Sequence, residues 1–82
     1  MRIALDSYRD LDEIVMWLSL NVGLRRSNTA PDDYVGKGWR LKRVKASIAE
    51  VIELMARQDW AIYFDVAIDD HIKMFEFALR FS

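Results

Sequence analysis

Cysteine is absent from the 82-residue chain, which excludes disulfides, cysteine-ligated metal and thiol catalysis. Proline occurs once, at Pro31, and glycine three times, so the residues that punctuate a chain are few and their positions informative. Histidine is limited to His71, which leaves little material for an imidazole-based metal or acid–base site. No apolar run approaches the roughly 20 residues needed to cross a bilayer. The opening MRIALDSYRD carries charges where a secretory leader needs an uninterrupted apolar stretch. These absences lead us to expect a soluble, cytoplasmic protein with no membrane partner.

What is present suits a compact core. Hydrophobic residues make up 52% of the chain and aromatics 12%, too rich for a disordered segment. At this length a second core would leave neither half enough buried area, so one domain over residues 1–82 is expected.

The periodicities outline the elements. Residues 1–5 alternate Ile3 and Leu5 with Arg2 and Ala4, as a short strand does. Ser7 suits an N-cap, with Asp10 completing an approximate capping box; Leu11, Ile14, Val15, Leu18 and Val22 then make one helical face that ends before Gly23. Residues 24–37 cluster turn formers around Pro31 and predict a loop of about 15 residues. Trp39 and Leu41 alternate with Arg40 and Lys42 in a basic strand. Ser47 and Glu50 form a capping box ahead of an apolar stripe of Ile48, Val51, Ile52 and Met55, with Glu53 and Arg57 paired on the opposite face.

From Trp60 the period becomes two through Ile62, Phe64, Val66 and Ile68. Residues 74–81 alternate Phe75, Phe77, Leu79 and Phe81 with Met74, Glu76, Ala78 and Arg80, which predicts a last strand joined through Asp69, Asp70 and His71. Met74, Phe77, Ala78 and Phe81 also fit a 3.6-residue period, so a helix over 70–81 is the competing assignment. The expected fold is α+β, a two-layer sandwich with a small, mostly antiparallel sheet and two helices on one face. Its element order is β-α-β-α-β-β, closing in a C-terminal β-hairpin. It has the parts of a ferredoxin-like domain without that order.

The charges are segregated. Residues 25–45 hold Arg25, Arg26, Lys37, Arg40, Lys42, Arg43 and Lys45 against Asp32 and Asp33, whereas the remainder holds five cations against eleven carboxylates. The formal net charge of −1 thus conceals a dipolar chain. Arg25, Arg26, Lys37, Arg40, Lys42, Arg43 and Lys45, with Trp39 as a stacking ring, are the candidate binding residues. They suit nucleic acid, where Lys and Arg displace condensed counterions, or an acidic protein. Solvated protection of a sheet edge is the simpler explanation. Gly36-Lys37-Gly38 lacks the spacer and the terminal Lys-Ser/Thr of a Walker loop.

Met16, Trp17 and Leu20 lie off the apolar face of the first helix. They need cover from the long loop, or they form a partner or homodimer surface. Asp69, Asp70 and His71 suit a helix-capping turn better than a metal or catalytic site, and no serine sits in a nucleophile elbow. No catalytic residue, metal ligand or cofactor is therefore assigned.

The C-terminal third, WAIYFDVAIDDHIKMFEFALRF, resembles the endings of small bacteriophage proteins, with an aromatic strand, an acidic turn and then Phe-x-Phe-x-Leu-Arg-Phe. The resemblance implies a phage or mobile-element accessory protein. Such proteins commonly bind and inhibit host nucleases, restriction systems or CRISPR complexes, without an active site of their own. The leading expectation is a non-enzymatic binding or inhibitor protein that docks on a host protein or protein–nucleic-acid complex through the basic loop and strand. A nucleic-acid- or nucleotide-binding domain using the same residues is the alternative, and a minor structural or assembly protein a third.

Overall fold

The computed structural model describes residues 1–26 and 33–81. Four strands form one sheet: β1 (Arg2–Leu5), β2 (Asp33–Gly36), β3 (Trp39–Val44) and β4 (Ile62–Ile68). Three helices accompany them, α1 (Tyr8–Asn21), α2 (Ile48–Ala56) and α3 (His71–Phe81). The strand order is β1-β4-β3-β2 and every neighbouring pair is antiparallel.

Alternation in β4 organises the sheet. Ile62, Phe64 and Val66 point to one face, where Ile3, Leu5, Trp39 and Leu41 from the neighbouring strands join them, all buried. α1 adds Leu11, Ile14, Val15 and Leu18 to that core, and α3 adds Phe77. Trp17 closes the seam between these helices, with edge-on ring contacts to Phe77 at 5.8 Å and Phe81 at 5.9 Å.

The expected order β-α-β-α-β-β is overturned, for the chain runs β-α-β-β-α-β-α. Two local features account for the difference. First, the segment expected to be a loop contains β2, which pairs with β3 across the turn at Lys37 and Gly38. Gly38 adopts φ 82°, a value a side chain disfavours, and so closes this hairpin. Pro31, Asp32 and the rest of 27–32 lie outside the described residues.

Second, the predicted C-terminal strand and hairpin are replaced by α3. β4 already pairs with β1 on one side and β3 on the other, so no edge beside it remains for a hairpin partner. The Asp70 carboxylate instead accepts the Ile72 and Lys73 amides at 2.8 and 3.2 Å and starts a helix. The β-α-β-β-α-β order that the sequence seemed to lack is present, followed by α3. With no parallel strand pair, however, the sheet is not the split β-α-β arrangement of ferredoxin-like domains.

The helices also do not share one face. Glu50 of α2 pairs with Arg2, and the Arg2 guanidinium stacks over Tyr63 at 4.1 Å. Arg2 alternates with the buried Ile3 and Leu5, so α2 lies on the side of the sheet opposite α1 and α3. Ser7 occupies the N-cap of α1, but its side chain makes no capping hydrogen bond.

Candidate functional site

The sheet face away from the core is polar. β1 and β4 contribute Arg2, Ala4, Tyr63, Asp65 and Ala67; β3 and β2 contribute Arg40, Lys42, Val44, Asp33 and Val35. The register interlaces the charges: Asp65 faces Arg2 on one side and Lys42 on the other, and Asp33 faces Lys42 from β2. Arg40 grips Asp33 with two hydrogen bonds, at 3.1 and 2.9 Å. Hydrogen bonding from Arg40 comes first and outweighs the opposing effect of desolvation, and with the Coulombic pull of Arg40 and Lys42 it holds the Asp33 carboxyl below its ordinary value.

A face of this kind gives an apolar helix nothing to bury against. α2 has a pronounced apolar stripe, yet no residue of α2 is buried. Ile48 is 81% exposed, Val51 43%, Ile52 61% and Met55 72%. The helix turns Glu50, which meets Arg2, and the half-buried Leu54 toward its own domain and leaves Ile48, Ile52 and Met55 to solvent.

Local chemistry holds it in place. Ser47 Oγ accepts the Glu50 amide at 3.2 Å, the Glu50 carboxylate accepts the Ser47 amide at 3.1 Å, and Gln58 ends the segment at φ 54°. The Ser47 amide first, then Arg2, keeps the Glu50 carboxyl below its ordinary value.

Between α2 and the sheet runs an open groove of about 870 Å³. Val44, Ala46, Val51 and Ala61 supply its apolar lining, and Lys42 and Lys45 its positive charge; Arg43 also borders it, but its register with Phe64 puts it on the core-facing side of β3. The one carboxylate in that lining, Asp33, is already engaged by Arg40. Stripe and groove share Val51 and form one surface, apolar on the helix and basic along the end of β3.

The predicted basic residues separate into two groups. Lys42 and Lys45 come together in the groove, whereas Arg43, in register with Phe64, belongs to the core-facing side of β3. Arg25, Arg26 and Lys37 collect at the far end of β3, roughly 25 Å from Lys45 at the rise of an extended strand. There the Arg26 amide donates to the Val35 carbonyl at 2.7 Å, the Lys37 amide to the Leu24 carbonyl at 3.0 Å, and Arg25 lies over the Tyr34 ring at 5.0 Å. Arg40 stands between the groups with its charge matched by Asp33.

Trp39, the proposed stacking ring, is buried, and its indole N–H donates to the Gly23 carbonyl at 2.7 Å. Its ring lies over Gly36, where a Cβ would collide with the indole. This tryptophan therefore belongs to the core and is withdrawn as a base-stacking surface.

Trp17 is half-buried and is covered from within the domain by Phe77 and Phe81 of α3; the part of the long loop over 27–32 lies outside the described residues. Met16 and Leu20 remain exposed beside a smaller hollow of about 330 Å³, which Glu13, Asn21, Arg80 and Phe81 also line. Sequence reasoning found the α2 stripe but assigned it to the core, because nothing in the stripe reveals which sheet face the helix will meet. The outer side of α3 was missed, because Phe75 and Leu79 were placed in a strand and Ile72 in the connection before it.

No helix among the described residues is long and apolar enough to cross a membrane. Neither a family model, a curated protein nor a solved structure matches the chain.

Proposed function

We propose that the protein is a non-enzymatic binding protein whose docking surface is the α2 stripe together with the basic groove beside it. One observation carries this: Ile48, Val51, Ile52 and Met55 form a helical apolar stripe of which no residue is buried, on a helix held by a capping box and an ion pair. A nine-residue helix has little stability alone. Covering its apolar face is the interaction that would fix it, as in the helix and groove modes of peptide recognition.

The partner that fits is a protein segment with large apolar side chains and flanking carboxylates. The apolar groups meet Ile48, Ile52 and Met55, and the carboxylates meet Lys42 and Lys45. The resemblance to phage accessory proteins supports placing that partner in host machinery, with inhibition as the consequence of docking. A chain without cysteine suits the cytoplasm.

Affinity capture from a native host extract tests the proposal, using as baits the wild type, Ile52→Glu and the double variant Lys42→Glu/Lys45→Glu. The expected result is one prominent acidic partner whose recovery falls at least tenfold with either variant. Equal recovery of the same partners by all three baits would overturn it. So would nuclease-sensitive recovery that tracks only the Lys42/Lys45 charges, which would assign the groove to nucleic acid.

A further inference from the structure

The outer face of the sheet is only half occupied. Strands stand about 4.8 Å apart, so four of them span about 14 Å between outer axes, and helices pack about 8–10 Å apart. Each face therefore has room for two helices side by side. The core face carries two, α1 and α3, whereas among the described residues the outer face carries α2 alone. α2 sits toward the β1 edge, where Glu50 pairs with Arg2 and the Arg2 guanidinium lies over Tyr63. The groove opens over the other half, above Lys42 and Val44 of β3 and Asp33 of β2.

The α2 stripe faces that open half. Taking the half-buried Leu54 as the sheetward direction, Val51, Met55, Ile48 and Ile52 stand about 60°, 100°, 120° and 160° round the helix, and Glu50 about 40° the other way, toward Arg2. The stripe is thus centred about 110° from Leu54 and looks along the sheet over β3, in keeping with the place of Val51 in the groove. A segment that enters here cannot extend the sheet, because β3 is already paired with β2 and β4. Its backbone must satisfy its own hydrogen bonds, which a helix does. The floor beneath it sets the charge, for Lys42 and Lys45 border the groove while Asp33 is engaged by Arg40. Resting on the docking surface proposed above, we infer that the partner element is one amphipathic helix lying on the outer face over β3 and β2, flank to flank with α2. One side of it is apolar and meets Val51, Met55 and Ile48, with Ile52 at the upper rim. The adjoining side is acidic and meets Lys42 and Lys45.

The probe is a synthetic peptide of about 14 residues, roughly 21 Å long as a helix, with leucines at i, i+3, i+4 and i+7 along one side and glutamates along the next. The full-length protein carries a photoreactive benzophenone side chain at Val35 or Val44 on the outer sheet face, or at Ala49, which α2 turns toward β1. The peptide should bind saturably and cross-link from positions 35 and 44 but not from 49. Replacing its glutamates by lysines should weaken binding to the wild type at least tenfold, and Lys42→Glu/Lys45→Glu should reverse that preference. No saturable binding, equal binding of a scrambled peptide, or cross-linking from position 49 in place of 35 and 44 would overturn the inference. So would self-association of the peptide-free protein that Ile52→Glu abolishes, which would make the occupant a second copy. A peptide that loses binding to Ile52→Glu yet cross-links from neither sheet position overturns the helix geometry and leaves the docking surface standing. A peptide indifferent to Ile52→Glu counts against the docking surface itself.

Discussion

Glu50 ties α2 both to its own cap and to the sheet. Its carboxylate caps α2 by accepting the Ser47 amide, and it also pairs with Arg2, which is itself stacked on Tyr63. Because these partners lower its pKa in the folded protein, their stabilisation is complete above the ordinary glutamate value of about 4.3 and is lost as pH falls through the lowered one. Amide chemical shifts over residues 48–57 should thus move toward coil values as pH falls through that lowered value, while those of α1 hold, and Glu50→Gln should abolish that titration. Removing the reciprocal cap with Ser47→Ala should cost about 1 kcal/mol of local helix stability, measurable by hydrogen exchange in α2. In the core, Phe64 is fully buried, and Phe64→Ala should cost about 3–5 kcal/mol. Domains of this size have about 4–12 kcal/mol in total, so chemical denaturation should find that variant close to its unfolding limit. Gly36→Ala should displace the Trp39 indole and cost about 1–3 kcal/mol by overpacking.

Among the elements, α2 and α3 separate what was legible from what was not. The boundaries of α1 and α2 followed from Gly23, Ser47 and Glu50, residues whose effects act within one helical turn. The face each helix would meet was not legible, since that depends on which strands become neighbours. Arg2, Asp65 and Lys42 make one side of the sheet polar only once β1, β4 and β3 stand together. α3 shows the same limit. Phe75, Phe77, Leu79 and Phe81 alternate as a strand would, and the helix prevails because β1 and β3 already occupy both sides of β4. The signal for β2 was at hand in Gly36-Lys37-Gly38, which marks a hairpin turn as well as the absence of a phosphate loop. Few contacts secure α2, so its amides should exchange much faster than those of α1 and β4, by local opening rather than global unfolding. Ile52→Glu should change global stability by less than about 0.5 kcal/mol while abolishing partner capture, a separation that a core residue would not permit.

At the scale of the molecule, the sheet divides the surface into two kinds. One side is closed by α1 and α3 over the core, and the other carries interlaced charges and the outward stripe of α2. The charge segregation seen in the sequence survives only in part, because Arg40 is matched by Asp33 and the remaining cations gather at opposite ends of β3. Of the basic candidates, Lys42 and Lys45 are therefore the ones that stand beside α2, in the proposed docking surface. Partner affinity should fall with added salt, and Lys42→Glu/Lys45→Glu should flatten that dependence. Selection of helical peptides from a random library on the purified protein tests the central claim without knowledge of the host. The account predicts peptides that combine large apolar residues at i, i+3 and i+4 spacing with flanking carboxylates, and that lose binding at least tenfold to Ile52→Glu. Recovery of basic peptides, or of peptides that bind wild type and Ile52→Glu equally, would contradict it.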